Sequence, residues 1–162
     1  MARRIAECIC TFDQAAERAQ ELRASGKKLV FTTGVYDLYH TAHVLYLENA
    51  AELGDALFVA VDSDSRVRRQ KDPRKPVMAQ ADRLAVVAAH QAVDCTFIFE
   101  DFDPSFLAVK PAIWVYSPTS DLDEHEHRLQ MAAIHGTRVV PVESRSAIHT
   151  SGIIRDIVTR FG

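Results

Sequence analysis

Long hydrophobic runs are missing from this chain. No apolar stretch approaches the roughly 18 residues of a membrane helix, and the N-terminus, Met1-Ala2-Arg3-Arg4, lacks the hydrophobic stretch of a secretion signal. A cytoplasmic protein with no membrane attachment is therefore expected. Cysteine is scarce: Cys8, Cys10 and Cys95 are an odd number, and the one Cys-x-Cys pair has no second pair to complete a zinc site. Reduced thiols and no structural metal follow as expectations. A basic overall charge is lacking as well. The net charge of −3 argues against a general nucleic-acid binder, which usually carries a basic surface. Internal repeats, low-complexity tracts and interdomain linkers are also absent.

What is present suffices for one good core. At 162 residues and 48% hydrophobic content, the expectation is a single domain over 1–162, with residues 1–10 as an N-terminal extension. Thr11 followed by Gln14 reads as a capping box opening a helix through Leu22, stopped at Ser25-Gly26. Short β-prone runs follow at Lys28–Phe31, Ala56–Val61, Cys95–Phe99, Ala112–Tyr116 and Arg138–Val142. Helical spacing falls between them, from Val44 to Gly54, Ala79 to Ala92, Pro104 to Val109 and Asp121 to His135, with a closing helix from Thr150 to Phe161. Ala56–Val61 is apolar without a break, the pattern of a strand buried on both faces in a parallel sheet. The alternation predicts an α/β sandwich: a doubly wound, mostly parallel five-stranded sheet with helices on both faces. In such sheets ligands bind beyond the C-terminal strand edges, where the strand order reverses.

Two features point to that edge. Residues 32–43 read Thr-Thr-Gly-Val-Tyr-Asp-Leu-Tyr-His-Thr-Ala-His, a strand end that turns and delivers His40 and His43 to a helix start. Free backbone N–H groups and the positive end of the helix dipole attract anions there, and two imidazoles would sharpen the attraction. Residues 66–75 hold six basic side chains, Arg66, Arg68, Arg69, Lys71, Arg74 and Lys75, against Asp72 alone. Such a run is either a solvated loop or, beside an anion-binding turn, a flexible positive loop that closes over polyphosphate.

Several ordered blocks carry a family resemblance: Gly34 and Asp37 with His40 and His43, Tyr46-Leu47, Leu53-Gly54-Asp55, Ser63-Asp64, Asp82-Arg83, Ala92-Val93-Asp94, and Thr150-Ser151 with Ile153-Ile154. Over about 12–161 the chain resembles the nucleotidyltransferase superfamily with the His-x-Gly-His signature, a Rossmann-like fold. It is most similar to the adenylyltransferase domain that activates heptose 1-phosphate, and less so to glycerol-3-phosphate cytidylyltransferases. The resemblance implies transfer of a nucleoside monophosphate from ATP or CTP to a small phosphorylated acceptor, with release of pyrophosphate and Mg2+ on the triphosphate. It also implies a homodimer.

For the site it implies His40 and His43 as donors to the triphosphate, one of them needing protonation near neutral pH to act as a cation. Arg83 matches an arginine directed at acceptor or triphosphate. Lys71 is the expected mobile cation, with Arg68 and Arg69 as substitutes. Gly34 would let the backbone turn tightly and approach phosphate, Thr32 and Thr33 would add hydroxyl donors, and Asp37 would orient the turn or a histidine. Thr150 and Ser151 would hold phosphates at the last helix N-terminus, with Arg145 and His149 adding charge. Asp62 and Asp64 are possible outer magnesium ligands. The acidic and histidine-rich stretch 121–127 reads as a solvated helix start, since residues two apart on a helix face different ways.

The chain departs from the family pattern at four places. Ala42 stands where the signature has glycine, Thr33 and Asp62 each replace an asparagine, and Tyr116-Ser117-Pro118-Thr119-Ser120 replaces Lys-Gly-Gly-Asp-Tyr in the acceptor region. The last change should alter which acceptor is taken. A nucleotide-binding sensor or partner subunit without turnover is the alternative these substitutions keep open.

Overall fold

The computed structural model describes residues 4–118, 125–144 and 146–162. After a short 3-10 turn at Ile5–Glu7, the elements run α1 (Phe12–Ala24), β1 (Leu29–Gly34), α2 (Thr41–Ala51), β2 (Ala56–Asp62), α3 (Asp64–Gln70) and α4 (Gln80–Ala88). They continue with β3 (Cys95–Phe99), α5 (Phe102–Val109), β4 (Ile113–Tyr116), α6 (His125–Ile134), β5 (Arg138–Pro141) and α7 (Thr150–Phe161).

The strands form one sheet in the order β3-β2-β1-β4-β5, and every pairing is parallel. The chain moves outward from β1 to β3, then crosses back to lay β4 on the other side of β1. The strand order therefore reverses between β1 and β4, which places the crevice at their C-terminal ends. Alternation along each strand divides the core in two. Phe31, Phe58 and Phe97 point to one face, with Ala15 and Ala19 of α1, Phe106 of α5, Trp114 and Ala132 of α6. Val30, Leu57, Val59 and Val61 point to the other, with Tyr46 and Leu47 of α2 and Val87 of α4. Each fully buried side chain of this size contributes about 1.5–3 kcal/mol, so the sheet is anchored on both faces.

Local chemistry sets the element ends. The α1 capping box forms as expected: Gln14 N–H donates to Thr11 Oγ1 at 3.2 Å and Thr11 N–H to Gln14 Oε1 at 2.8 Å. The outer side of β3 is covered by the N-terminal segment through a bridge between Ile9 and Thr96. Covering an edge in this way blocks pairing with another chain.

The basic stretch corrects the sequence reading. Its first half is not a loop but helix α3, started by Ser63, whose hydroxyl accepts from Arg66 N–H at 3.0 Å. Arg66 and Val67 are buried, and the Arg66 guanidinium lies 5.0 Å from the Phe99 ring centroid. Only the stretch after Gln70 is irregular, with a cis peptide at Lys75-Pro76. Helix α4 is shorter than expected at both ends. The expected helix start at Asp121 lies outside the described residues, and α6 is described from His125. Among the described residues no helix is long and apolar enough to cross a membrane.

Candidate phosphate-binding site

At the C-terminal sheet edge a cavity of about 360 Å³ opens between the β1–α2 turn, α3, the segment after β4 and the start of α7. His40, His43, Thr33, Gly34, Asp37 and Lys71 line it, as do His149, Thr150 and Ser151 from the other end of the chain. The histidine turn and the closing helix, more than a hundred residues apart in sequence, thus face one space.

Asp37 holds these parts together. Its carboxylate accepts the N–H groups of Val77 at 2.8 Å, Met78 at 2.9 Å and Leu38 at 3.1 Å. Its backbone carbonyl accepts the Thr150 hydroxyl at 2.8 Å. One residue therefore ties the turn to the end of the irregular segment and to α7. Thr150 does its visible work in that tie, so its hydroxyl is a strut of the pocket rather than a free donor.

The turn owes its shape to residues other than glycine. Tyr36 and Leu38 have φ of 55° and 45°, the left-handed region, which costs a non-glycine residue roughly 1–2 kcal/mol. Gly34 lies in β1 with no positive φ; a Cβ there would stand 2.9 Å from Tyr36 Cε2. Glycine is needed at this position because the buried Tyr36 ring folds back over it. This corrects the tight-turn part of the expectation for Gly34, which does line the cavity. Gly34→Ala should push the ring toward the cavity, lowering stability by about 1–3 kcal/mol. Nucleotide affinity should fall with it, and thermal unfolding with and without nucleotide checks both.

The two imidazoles stack, centroids 4.0 Å apart and planes 22° from parallel. His43 Nδ1 faces the backbone N–H of His40 at 3.4 Å, a long contact that favours the neutral tautomer with its proton on Nε2. Burial, and then the neighbouring His40, push the His43 pKa down to about 4. His40 is lowered too, by burial and then by His149. In the nucleotide-free site both rings are therefore biased toward the neutral form near pH 7. Protonation near pH 7 therefore requires the negative charge of a bound ligand, and without it His43 acts as a neutral N–H donor.

Two expected phosphate ligands are placed elsewhere. Thr32 is fully buried, and its hydroxyl shares a 2.6 Å hydrogen bond with Tyr46 Oη beneath the cavity floor. Arg83 is also fully buried. It donates from Nε to Met78 O at 3.0 Å, from Nη1 to Val35 O at 2.5 Å, and from Nη2 to Asp62 O and Asp64 Oδ1, both at 2.7 Å. Its guanidinium holds the turn and the end of β2 and does not reach the cavity. Arg145 lies outside the described residues.

Of the basic stretch, Arg66, Lys71 and Lys75 line the cavity, whereas Arg68 and Arg69 do not. Arg66 gives Nε to Asp62 Oδ1 at 2.8 Å and Nη1 to the Glu100 carbonyl at 2.7 Å. Lys71, at the C-terminal cap of α3, is exposed on the rim and makes no ion pair among the described residues. Asp62 and Asp64 each serve a guanidinium, and no cluster of metal-ligating side chains occurs among the described residues. These two carboxylates do not fit a protein-held magnesium.

Arg128 was not singled out in the sequence. It is buried, lines the cavity from α6, and lies 4.5 Å from the Phe102 ring centroid. Its spacing of four from Ala132, also buried, was the available signal: the two form the inward face of α6.

Residues 31–156 match the cytidylyltransferase-like family. The bifunctional protein HldE of Geobacter sulfurreducens is 34% identical over 150 residues, covering 91% of this chain and 29% of that protein. HldE of Nitratiruptor sp. is 42% identical over 111 residues, covering 67% of this chain and 24% of its own length. The chain thus spans less than a third of these relatives. Among solved structures, a lipopolysaccharide core biosynthesis protein from Thermoplasma volcanium superposes with a TM-score of 0.66 at 28% identity, over 75% of this chain and all of that one. Pantoate-beta-alanine ligase from Francisella tularensis, complexed with beta-gamma ATP and beta-alanine, has the same TM-score at 12% identity, over 90% and 69% of the two chains, and shares the fold alone. With the match running from β1 into α7, the chain belongs to the cytidylyltransferase-like family and has its nucleotidyltransferase-type, Rossmann-like fold.

Proposed function

We propose that this domain transfers a nucleoside monophosphate, AMP from ATP in preference to CMP from CTP, to a small phosphorylated acceptor. The observation that carries the proposal is the meeting of His40, His43, Lys71 and the α7 start around one cavity. Similarity to HldE proteins favours adenylyl transfer.

An oxygen of the acceptor phosphate attacks the α-phosphorus of the triphosphate, and the bond from that phosphorus to the bridging oxygen breaks, releasing pyrophosphate. No enzyme nucleophile takes part. The protein holds the reactants in line and neutralises the charge that grows on the non-bridging and leaving oxygens. His43 and His40 supply imidazole N–H donors, Ser151 and the α7 N-terminus supply further donors, and Lys71 brings mobile positive charge from the rim. Magnesium would arrive on the triphosphate, with nucleotide oxygens as its principal ligands, screening phosphate charge. The homodimer is part of this proposal; Ile157, Val158 and Phe161, exposed on α7, are apolar surface available to it.

Pyrophosphate release from ATP or CTP is to be measured across sugar, polyol, amino-alcohol and phosphonate-type acceptors. Turnover with one acceptor and one nucleotide is the expected result. Binding without turnover across the panel would instead leave a nucleotide sensor. Lys71→Ala should lower turnover by about ten- to hundredfold, less than the roughly 10²–10³-fold cost of a preorganised donor because the lysine is exposed on the rim, and leave the melting temperature nearly unchanged. Equal loss of both would make Lys71 structural.

A further inference from the structure

In-line transfer sets a geometric demand. Nucleophile and leaving group must lie on opposite sides of the α-phosphorus, so acceptor and pyrophosphate cannot share one wall of the cavity. Helix α2, which carries His43, packs with Tyr46 and Leu47 on the Val30 face of the sheet, whereas α6 packs with Ala132 on the Phe31 face. The cavity spans the strand ends between them, and Arg128 and Ser117 line it from the α6 side.

Two buried arginines reach the cavity. Arg66 is engaged by Asp62 and the Glu100 carbonyl. The guanidinium carbon of Arg128 lies 4.5 Å from the centre of the Phe102 ring, itself stacked on Phe106 with centroids 5.4 Å apart. A guanidinium is a planar fork whose paired N–H groups match two oxygens of one anion.

We propose that Arg128 is a specificity-determining residue that holds the terminal phosphate or phosphonate of the acceptor, on the side of the cavity away from the histidines. The proposal rests on the nucleotidyltransferase reading. Its test uses the α,β-methylene analogue of ATP to fill the nucleotide side and inorganic phosphate as the acceptor probe, both followed by calorimetry. Arg128→Met keeps the stem against Phe102 and removes the fork; Arg128→Lys keeps the charge without the fork. Phosphate affinity for the analogue-loaded protein should fall at least about tenfold in Arg128→Met and several-fold in Arg128→Lys, while analogue affinity stays within about twofold. If Arg128→Met fails to fold, Arg128→Lys decides on the same criterion. Unchanged phosphate binding, or equal weakening of analogue and phosphate, would overturn the role of Arg128 alone. A wild-type protein that does not bind the analogue would overturn the nucleotidyltransferase reading as well.

At the opposite end of the sheet, Cys10 Sγ and Cys95 Sγ lie 3.1 Å apart. The backbone holds them there: Cys10 N–H donates to Thr96 O at 2.9 Å, and Thr96 N–H to Cys8 O at 2.8 Å. Cys10 is partly exposed and Cys95 is buried, so an oxidant reaches Cys10 first. We infer that this pair is a modification site at which a peroxide locks the N-terminal segment onto the β3 edge. The Cys10 thiolate attacks one peroxide oxygen and the second oxygen leaves as water. The resulting sulfenic acid then condenses with the Cys95 thiol, forming the S–S bond and releasing a second water.

Treatment of the full chain with hydrogen peroxide should remove two hydrogens by intact mass, link the peptides carrying Cys10 and Cys95, and raise the melting temperature reversibly with dithiothreitol. Cys10→Ser and Cys95→Ser should each abolish all three effects, and Cys8→Ser none. Over-oxidation of Cys10 without a link, a link through Cys8 or between chains, or a link that leaves the melting temperature unmoved would each overturn the inference.

Discussion

Replacing His43 by alanine is expected to lower pyrophosphate release by about 10²–10³-fold, the usual cost of removing one preorganised donor to a developing anion. The fold should survive, because the ring's neighbours are other rings, Tyr36 at 5.4 Å, Tyr39 at 5.3 Å and His40 at 4.0 Å between centroids, and no buried charge is orphaned. Wild-type turnover in the variant would remove His43 from the mechanism. The same substitution has a second readout. The folded protein lowers the His43 pKa from 6.5 to about 4, so between those values the unfolded chain binds more protons than the folded one. The nucleotide-free protein should therefore lose stability as pH falls from 6.5 toward 4. This residue's share is at most about 3 kcal/mol, at 1.36 kcal/mol per pKa unit. Comparing denaturant unfolding of wild type and His43→Ala across that range should show the variant losing less. Parallel curves would mean that the ring is not held in its neutral form.

How much of this was legible in the sequence depended on the range of the interaction involved. The strand Cys95–Phe99 and the helix Thr150–Phe161 have the bounds expected from pattern alone, since apolar runs, caps and breakers act within a few residues. The convergence of the turn and α7 was legible through topology, because strand order fixes which loops share an edge. Arg83 and Thr32 were misplaced for the opposite reason. Their partners, Val35, Asp62 and Asp64 for one and Tyr46 for the other, come from other elements, and no local spacing reports such contacts. The start of the basic stretch misled by composition. Six cations in ten residues read as a loop, yet a Ser63 cap and the inward-facing pair Arg66 and Val67 make a helix of its first half. Arg128 was hidden by neighbours of the same kind, in a stretch dominated by acids and histidines.

Arg83→Met is expected to cost about 3–5 kcal/mol, the range for breaking a buried ion pair by removing one partner. The variant would leave the partly buried Asp64 carboxylate and the carbonyls of Val35, Asp62 and Met78 without their donor. At roughly 2–4 °C per kcal/mol for a domain of this size, the melting temperature should drop by about 10 °C. Nucleotide affinity should fall as a consequence. Val35 belongs to the left-handed turn, and Met78 donates its own N–H to Asp37, so Arg83 and Asp37 tie the same two segments together. A direct phosphate ligand would behave otherwise, losing affinity with little loss of stability. The double variant Arg83→Met with Asp64→Asn separates the two roles. Removing the orphaned carboxylate should recover part of the lost stability and, with it, the part of the nucleotide affinity lost through local unfolding, while the Val35 carbonyl stays without its donor. If affinity stays lost while stability returns, Arg83 reaches the nucleotide after all. The buried network would then have to open for turnover to occur.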